Sequence, residues 1–364
     1  MAQSATDAGH GEKTIRKEVV ETGDVDIVVS IGTNFFYTRS LPCSLWFFDR
    51  GRPEERRDKV LMLDARNIYR VVSRKIRDFS DEQRANLTAI VWLYRGETDR
   101  YLALVEDYFG EVLAGLGVLQ APLEAVDKPV GGLLEHLDSF VAGGLGDSEA
   151  VEEFVSLVEE LHDSARHLKS KRQSLLAELG SWASGPGAGT KGTNREQVEL
   201  AATFERFGSE LTGMRRQVNE VHKLAIRAVD HARKNLGADG AGGWAHGEVR
   251  ALVDELGSAR ELALDAVRAI SYPFAQVTWL QSRFPDARME DVPGLCKVVD
   301  RDGIEGQDWS LTPGRYVGVA PREPEDEEHV EERLREIHVE LAGLNQVASE
   351  LAEAIKVNFQ ELIG

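Results

Sequence analysis

The chain has 364 residues, 42% of them apolar, and a formal net charge of −19. That length accommodates two or three domains, and so acidic a balance excludes a protein coated in nucleic-acid-binding surface while leaving room for a local basic patch. Only Cys43 and Cys296 are present, which argues against a disulfide framework and for a reducing cytoplasm. No apolar run approaches the ~20 residues of a membrane span, and Met1 to Gly11 reads as a flexible start rather than a signal peptide.

A short amphipathic helix is expected over Glu12–Glu21, with Ile15, Val19 and Val20 on one side. Three strand-like runs follow: Asp24-Val-Asp-Ile-Val-Val-Ser-Ile31, Ser44-Leu-Trp-Phe-Phe48 and Lys59-Val-Leu-Met-Leu-Asp64. Each is short, rich in β-branched or aromatic residues, and bounded by Gly, Pro or charge. The spacer Asp49–Asp58 is too short for a crossover helix, so the second and third runs are expected to pair as an antiparallel hairpin. Three strands cannot bury their own faces and need more sheet or covering helices. Ser80 caps a helix carrying Leu87, Ile90, Val91 and Leu93, which ends near Gly96; another helix runs from about Asp99 to Leu113.

From Gly110 to Gly146 the composition turns to Gly, Ala and Leu. Three seams with 3-4 spacing follow: Val151 to Trp182, Leu200 to Ala232, and Val249 to Ile270. They predict three helices packed as an antiparallel hairpin or bundle. Ser181–Thr193 is a flexible connector, and Tyr272-Pro273 is expected to stop the third helix. Beyond Pro285 the chain is irregular, with two distinctive strings, Asp291-Val-Pro-Gly-Leu-Cys-Lys297 and Leu311-Thr-Pro-Gly-Arg-Tyr-Val-Gly318. A final helix carries a seam from Leu334 through Leu341 to Ile355, which needs a partner.

Enzyme chemistry leaves no obvious trace. The sequence has no Pro-Pro pair, hence no Asn/Asp-Pro-Pro-aromatic loop, and no Gly-x-Gly after a predicted strand. Gly185-Pro-Gly-Ala-Gly189 sits between helices and reads as a linker. His162 and His167 are five apart and do not share a helix face for a metal. A basic segment does stand out. Arg50, Arg52, Arg56, Arg57, Lys59, Arg66, Arg70, Arg74, Lys75 and Arg77 face only Glu54, Glu55, Asp58 and Asp64. It suits a phosphate-tracking patch or an ordinary solvated surface with local ion pairs. Alternation sends Trp46 and Phe48 to one face of their strand and Leu45 and Phe47 to the other. An aromatic at the strand end either joins the core or stacks on a base.

Several strings are more specific. Gly11-Glu-Lys-Thr-Ile-Arg-Lys17, Phe36-Tyr37, Leu41-Pro42, Leu45-Trp-Phe47 and Leu63-Asp-Ala-Arg66 resemble the modification subunit of type I restriction-modification systems, the N-6 adenine DNA methylase family. Trp92-Leu-Tyr-Arg-Gly96 and the two distinctive strings are similar to later landmarks of that family, in the same order. The resemblance covers about 11–109 and 288–364. It implies methyl transfer from S-adenosylmethionine to adenine N6 in DNA, on a Rossmann-like, mostly parallel sheet that ends in an antiparallel hairpin. The expected architecture is therefore a partial α/β methyltransferase sheet, its last three strands, followed by a long, mostly α-helical coiled-coil or bundle region. The division is a flexible start at 1–11, the second half of a methyltransferase domain at 12–109, a helical insertion at 110–287, and a C-terminal segment at 288–364.

The departures from the family bear on activity. The family's cofactor-binding glycine motif and Asn-Pro-Pro-Phe loop precede the counterpart of Gly11 and are absent from this sequence, and its Leu-Pro after the first of these strands is Ile31-Gly32 here. S-adenosylmethionine is thus expected for the complete enzyme and not for this chain alone. Phe48 corresponds by resemblance to a base-stacking aromatic, with DNA-backbone contacts from Arg50, Arg52, Arg56, Arg57, Arg66, Arg70, Arg74 and Lys75. The implied partners are DNA, a specificity subunit docked on 324–364, a restriction subunit and an N-terminal methylase half. The alternative is a non-catalytic helical interaction module retained from a truncated methylase. A half-sheet with an open edge is expected to associate in isolation.

Overall fold

The computed structural model describes residues 3–36, 40–73, 75–189, 192–240 and 244–320, together with Leu334 and Leu341. The elements are, in chain order, α1 (Gly11–Glu21), β1 (Val25–Ile31), β2 (Cys43–Phe48), β3 (Lys59–Ala65), β4 (Arg70–Ser73), β5 (Ile76–Asp78), α2 (Asp81–Arg95) and α3 (Thr98–Val118). There follow α4 (Gln120–Glu124), α5 (Asp127–Ala142), α6 (Glu149–Ser184), α7 (Asn194–Phe204), α8 (Arg206–Asn235), α9 (His246–Arg283), β6 (Cys296–Asp300) and α10 (Arg301–Gly306). The described residues fall into two compact units, one drawn from 1–101 and 283–364, the other from 102–282.

The first unit holds a four-stranded sheet in the order β2-β1-β3-β6 and a separate two-stranded ribbon, β4-β5. β1 pairs antiparallel with β2, Val28 opposite Trp46, and parallel with β3, Val29 opposite Leu63. The expected hairpin between the second and third runs is therefore wrong: β1 lies between them. The Asp49–Asp58 spacer crosses the amino end of β1 instead of turning tightly. Arg52, in mid-spacer, laces that crossing, donating to the carbonyls of Val25 at the start of β1 and Lys59 at the start of β3.

β1 is buried at all seven positions, as expected of a strand covered on both faces. On one face Val28, Val60, Met62 and Val299 pack with Val20 of α1, Ile304 of α10, Trp309 and Leu311. Leu61 and Leu63 alternate to the other face, where α2 runs and the Tyr94 hydroxyl donates to the Lys59 carbonyl at 3.0 Å. The Ser80 cap holds as expected: its hydroxyl accepts from the Gln83 N–H while the Gln83 side chain accepts from the Ser80 N–H. Gly96, at φ 78°, closes the helix.

The fourth strand was not anticipated. Cys296–Asp300 pairs antiparallel with β3, Leu61 opposite Val298, so the chain returns from beyond the helical unit to extend the sheet. The Pro293-Gly294 turn delivers it. Gly294 has φ 76°, and a Cβ there would stand 2.6 Å from Ala320, so this crossing requires glycine. Burial pushes the Cys296 thiol up to about 12. At pH 8 its thiolate fraction is then about 10⁻⁴, against a sizeable fraction for a free thiol. Iodoacetamide labelling followed by mass spectrometry should find Cys296 inert in the folded chain and reactive in denaturant.

In the second unit the seam residues are the buried ones. On α6 these include Phe154, Leu161, Leu168 and Leu175, and on α8 Leu211, Met214, Val218 and Val221. The two helices run antiparallel, since His231 meets the Ala150 carbonyl, Gln217 meets Ser164, and Arg206 meets Glu178. α5 is laid along α6 by Asp138–His162 and by the Asp127 carboxylate on buried Arg172. Pro273 does not stop the third helix: α9 runs on to Arg283 with Pro273 buried inside it. An interior proline costs about 3 kcal/mol. Carrying Val277 and Leu280 into full burial, at about 1.5–3 kcal/mol each, offsets that.

Helix α6 likewise extends to Ser184, taking in the first four residues of the expected connector. Trp182 anchors its end. The indole Nε1 donates to Thr203 Oγ1 at 2.9 Å and the ring lies 4.7 Å from that of Phe204. Among the described residues, no helix is long and apolar enough to cross a membrane.

Candidate functional site

The basic segment divides between the two ends of the sheet. Arg50, Arg52, Arg56 and Arg57 lie on the spacer at the amino ends of β1 and β3, and Arg66, Arg70 and Lys75 lie beyond the carboxyl end of β3. Strands of seven residues separate the groups by roughly 20 Å. Arg74 lies outside the described residues.

The amino-end group is organised inward. Asp26 is fully buried and receives Arg95 at 2.8 Å, Arg56 at 3.4 Å and Arg52 at 3.5 Å. The Arg52 side chain is itself buried, and its Nη1 and Nη2 donate to the Val25, Arg57 and Lys59 carbonyls. It ties the spacer down and is not presented to a phosphate. The Arg56 guanidinium lies over the Tyr94 ring. Burial, with Asp26 beside it, pushes the Tyr94 phenol up to about 12. Arg50 and Arg57 are exposed and paired with Asp24 and Glu54. Phe48 sits at this same end, level with Val25 and 55% exposed.

Open α/β sheets bind their ligands outside the carboxyl ends of the parallel strands, which here is the end opposite Phe48. There β1 runs into Gly32, where a Cβ would lie 2.7 Å from the Arg66 carbonyl. That close approach of the chain leaving β3 explains why glycine follows Ile31. The next residues fold back sharply, with Asn34 at φ 68°, a conformation asparagine tolerates. Phe35 turns in against Phe79 at 4.7 Å, while Phe36 is left 49% exposed. The Arg77 N–H donates to the Asn34 carbonyl at 2.8 Å, fixing the β4–β5 ribbon beside this loop.

The rim is basic. Residues 64–78 hold five basic and two acidic side chains. Asp64 grips Arg66 with both oxygens, which raises the guanidinium's pKa further. Arg70 and Asp78 pair across the ribbon, and Arg77 stacks on Tyr69 at 3.9 Å. The TPGR string closes over the same end: a Cβ on Gly314 would meet the Arg66 guanidinium at 2.6 Å. Phe36 is the residue that sequence reasoning passed over. It belonged to a quoted string, but nothing local distinguished it from its half-buried neighbour Phe35.

A model of the N-6 DNA methylase family matches residues 1–107. The chain is similar to that family over this segment. Over 82 residues the chain is 38% identical to the type I restriction enzyme MjaIX methylase subunit of Methanocaldococcus jannaschii, covering 22% of this chain and 15% of that relative. It is 33% identical over 89 residues to the MjaVIII methylase subunit of the same organism, 24% of this chain and 15% of the relative. Over 78 residues it is 30% identical to the HindI methylase subunit of Haemophilus influenzae, 21% of this chain and 17% of the relative. The match thus spans about a sixth of the length of these relatives. No solved structure matches.

S-adenosylmethionine carries a nucleoside that a protein cradles against its backbone. Such a donor rests on glycines that let its atoms approach the backbone after a strand. The glycine after β1, Gly32, faces the Arg66 carbonyl instead, and no Gly-x-Gly follows any of the strands. Among the described residues there is also no group of three or more His, Cys, Asp or Glu side chains able to hold a metal.

Proposed function

We propose that this chain supplies the DNA-facing distal part of a type I adenine-N6 DNA methyltransferase, with S-adenosylmethionine and the Asn-Pro-Pro-Phe loop provided by methylase sequence outside these 364 residues. The observation that carries the reading is the exposed Phe36 beside a basic two-stranded ribbon, at the carboxyl end of the parallel pair in a methylase-family segment. In this reading Phe36, rather than Phe48, stacks on an unpaired base, while Lys75 and Arg77 meet phosphates of the flanking strand. Arg66 and Arg70, each held by a carboxylate, position the rim. Beyond the described ribbon, the specificity subunit docks on 324–364. Its support is that Leu334 and Leu341, seven residues apart and helical, are 57% and 52% exposed.

Anisotropy titrations of a fluorescent duplex containing one flipped or abasic site test this. Phe36→Ala is expected to weaken binding by about 5- to 150-fold at the unstacked site, corresponding to about 1–3 kcal/mol of stacking. Lys75→Ala and Arg77→Ala should each lower the slope of log affinity against log salt by ~1, uniformly across sequences. A non-catalytic helical module predicts DNA affinity indifferent to all three substitutions.

A further inference from the structure

We propose that the middle of α6, together with the stretch of α8 laid against it, is a second DNA-contacting surface, one that holds duplex phosphates without reading sequence. The choice of DNA over another polyanion rests on the methylase reading above; the surface lies wholly within the helical unit and shares no residue with that site.

The helical unit changes sign along its chain. Residues 102–163 carry fourteen acidic side chains and one basic, whereas residues 164–177 carry Arg166, Lys169, Lys171 and Arg172 and no acid. The contacts of Gln217 with Ser164 and of Arg206 with Glu178 lay that stretch along residues 206–217 of α8. There Arg206, Arg215 and Arg216 stand against Glu210 alone. Each helix by itself reads as a solvated face; the antiparallel pairing collects their positive charge into one band. In a chain of net charge −19, such a band marks one place rather than a general property of the surface.

The charges differ in what they do. Arg172 is buried and taken up by Asp127. Arg166 and Arg206 pair with Asp163 and Glu178 and flank the band. Lys169 and Arg216 are exposed. Lys171 reaches across to α8: its Nζ lies 2.5 Å from where a Gly213 Cβ would stand, so the missing side chain leaves the ammonium room on the neighbouring helix. His167, one turn before Lys171 on the same flank, is exposed. The stretch 164–177 rises about 21 Å, over which one strand of a duplex passes about six phosphates. Lysine heads meet phosphates as mobile point charges and guanidiniums meet them as forks. An acidic polypeptide offers the same sign without that regular spacing.

The test titrates the full 364-residue chain against a fluorescent, fully paired duplex across a salt series. Lys169→Ala, Lys171→Ala and Arg216→Ala should each lower the slope of log affinity against log salt by ~1. Lys234→Ala, which removes an exposed charge from the far end of α8, should leave it unchanged. Acetic anhydride labelling of the unsubstituted chain, read by mass spectrometry, should find Lys169 and Lys171 shielded by the duplex and Lys234 not. Unchanged slopes in the three variants, or lysines labelled alike with and without duplex, would overturn the proposal. So would equal shielding by polyglutamate at the same charge concentration, which would assign the band to an acidic protein partner. If these three substitutions lower the slope and Lys75→Ala and Arg77→Ala do not, the ribbon reading fails and the helical contact stands.

Discussion

Asp26→Ala should destabilise the sheet-bearing unit by about 3–5 kcal/mol, the scale for breaking a buried ion pair from one side. Asp26 is fully buried and answers three guanidiniums, of which Arg52 is as deeply buried as the carboxylate itself. Removing the carboxylate leaves that charge held by carbonyl dipoles alone. Asp26→Asn keeps an acceptor oxygen and should lose less, about 1–3 kcal/mol. Hydrogen exchange of the β1 and β3 amides under native conditions reads the loss directly. Equal protection in wild type and Asp26→Ala would show that the Val25, Arg57 and Lys59 carbonyls suffice to hold Arg52. Because the cluster ties the spacer between β2 and β3, the variant should also loosen residues 49–58 before the strands themselves.

In the helical unit the largest effect is expected at Phe204. The ring is fully buried and lies 4.7 Å from Trp182, 5.3 Å from Phe207 and 4.6 Å from Phe274. Phe204→Ala opens a cavity at the junction of four helices, α6 to α9, with a loss of about 3–5 kcal/mol. Phe204→Leu retains most of the volume and forfeits chiefly the ring–ring terms, about 0.5–1.5 kcal/mol each. Urea titrations followed by exchange protection within residues 102–282 distinguish the two. A loss for alanine no greater than for leucine would mean that the surrounding side chains collapse into the space.

What the sequence disclosed depended on how local each signal was. The strands at Val25–Ile31 and Lys59–Ala65 announced themselves by runs of buried β-branched residues, and Ser80 and Gly96 marked the limits of α2 by capping chemistry alone. The seams of α6 and α8 were visible because 3-4 spacing is a property of a single helix. Pairing was harder. The order β2-β1-β3 turns on Arg52 reaching two strands at once, which no spacing rule reveals. β6 was missed because its five residues mix Cys, Lys and Asp with two valines, and only its distant partner makes them a strand. Pro273 misled because its local cost is outweighed by apolar residues further along the same helix. The basic segment looked like one patch in sequence, and the sheet divides it. The family resemblance was carried by strings that the comparisons bear out for the first 107 residues.

The β3–β6 pairing sets a schedule for synthesis. Ala65 leaves the ribosome roughly 230 residues before Cys296 does, a delay on the order of ten to fifty seconds at about 5–20 residues per second. Throughout that interval β3 has one flank without its mate, while the whole of the helical unit is being translated. Closing so long a loop costs little extra at equilibrium, since the penalty grows only with the logarithm of its length, but it places this contact among the last to form. The nascent chain therefore carries a bare strand for most of its time on the ribosome, and it is in that window, rather than in the finished protein, that a holdase chaperone has the most to shield.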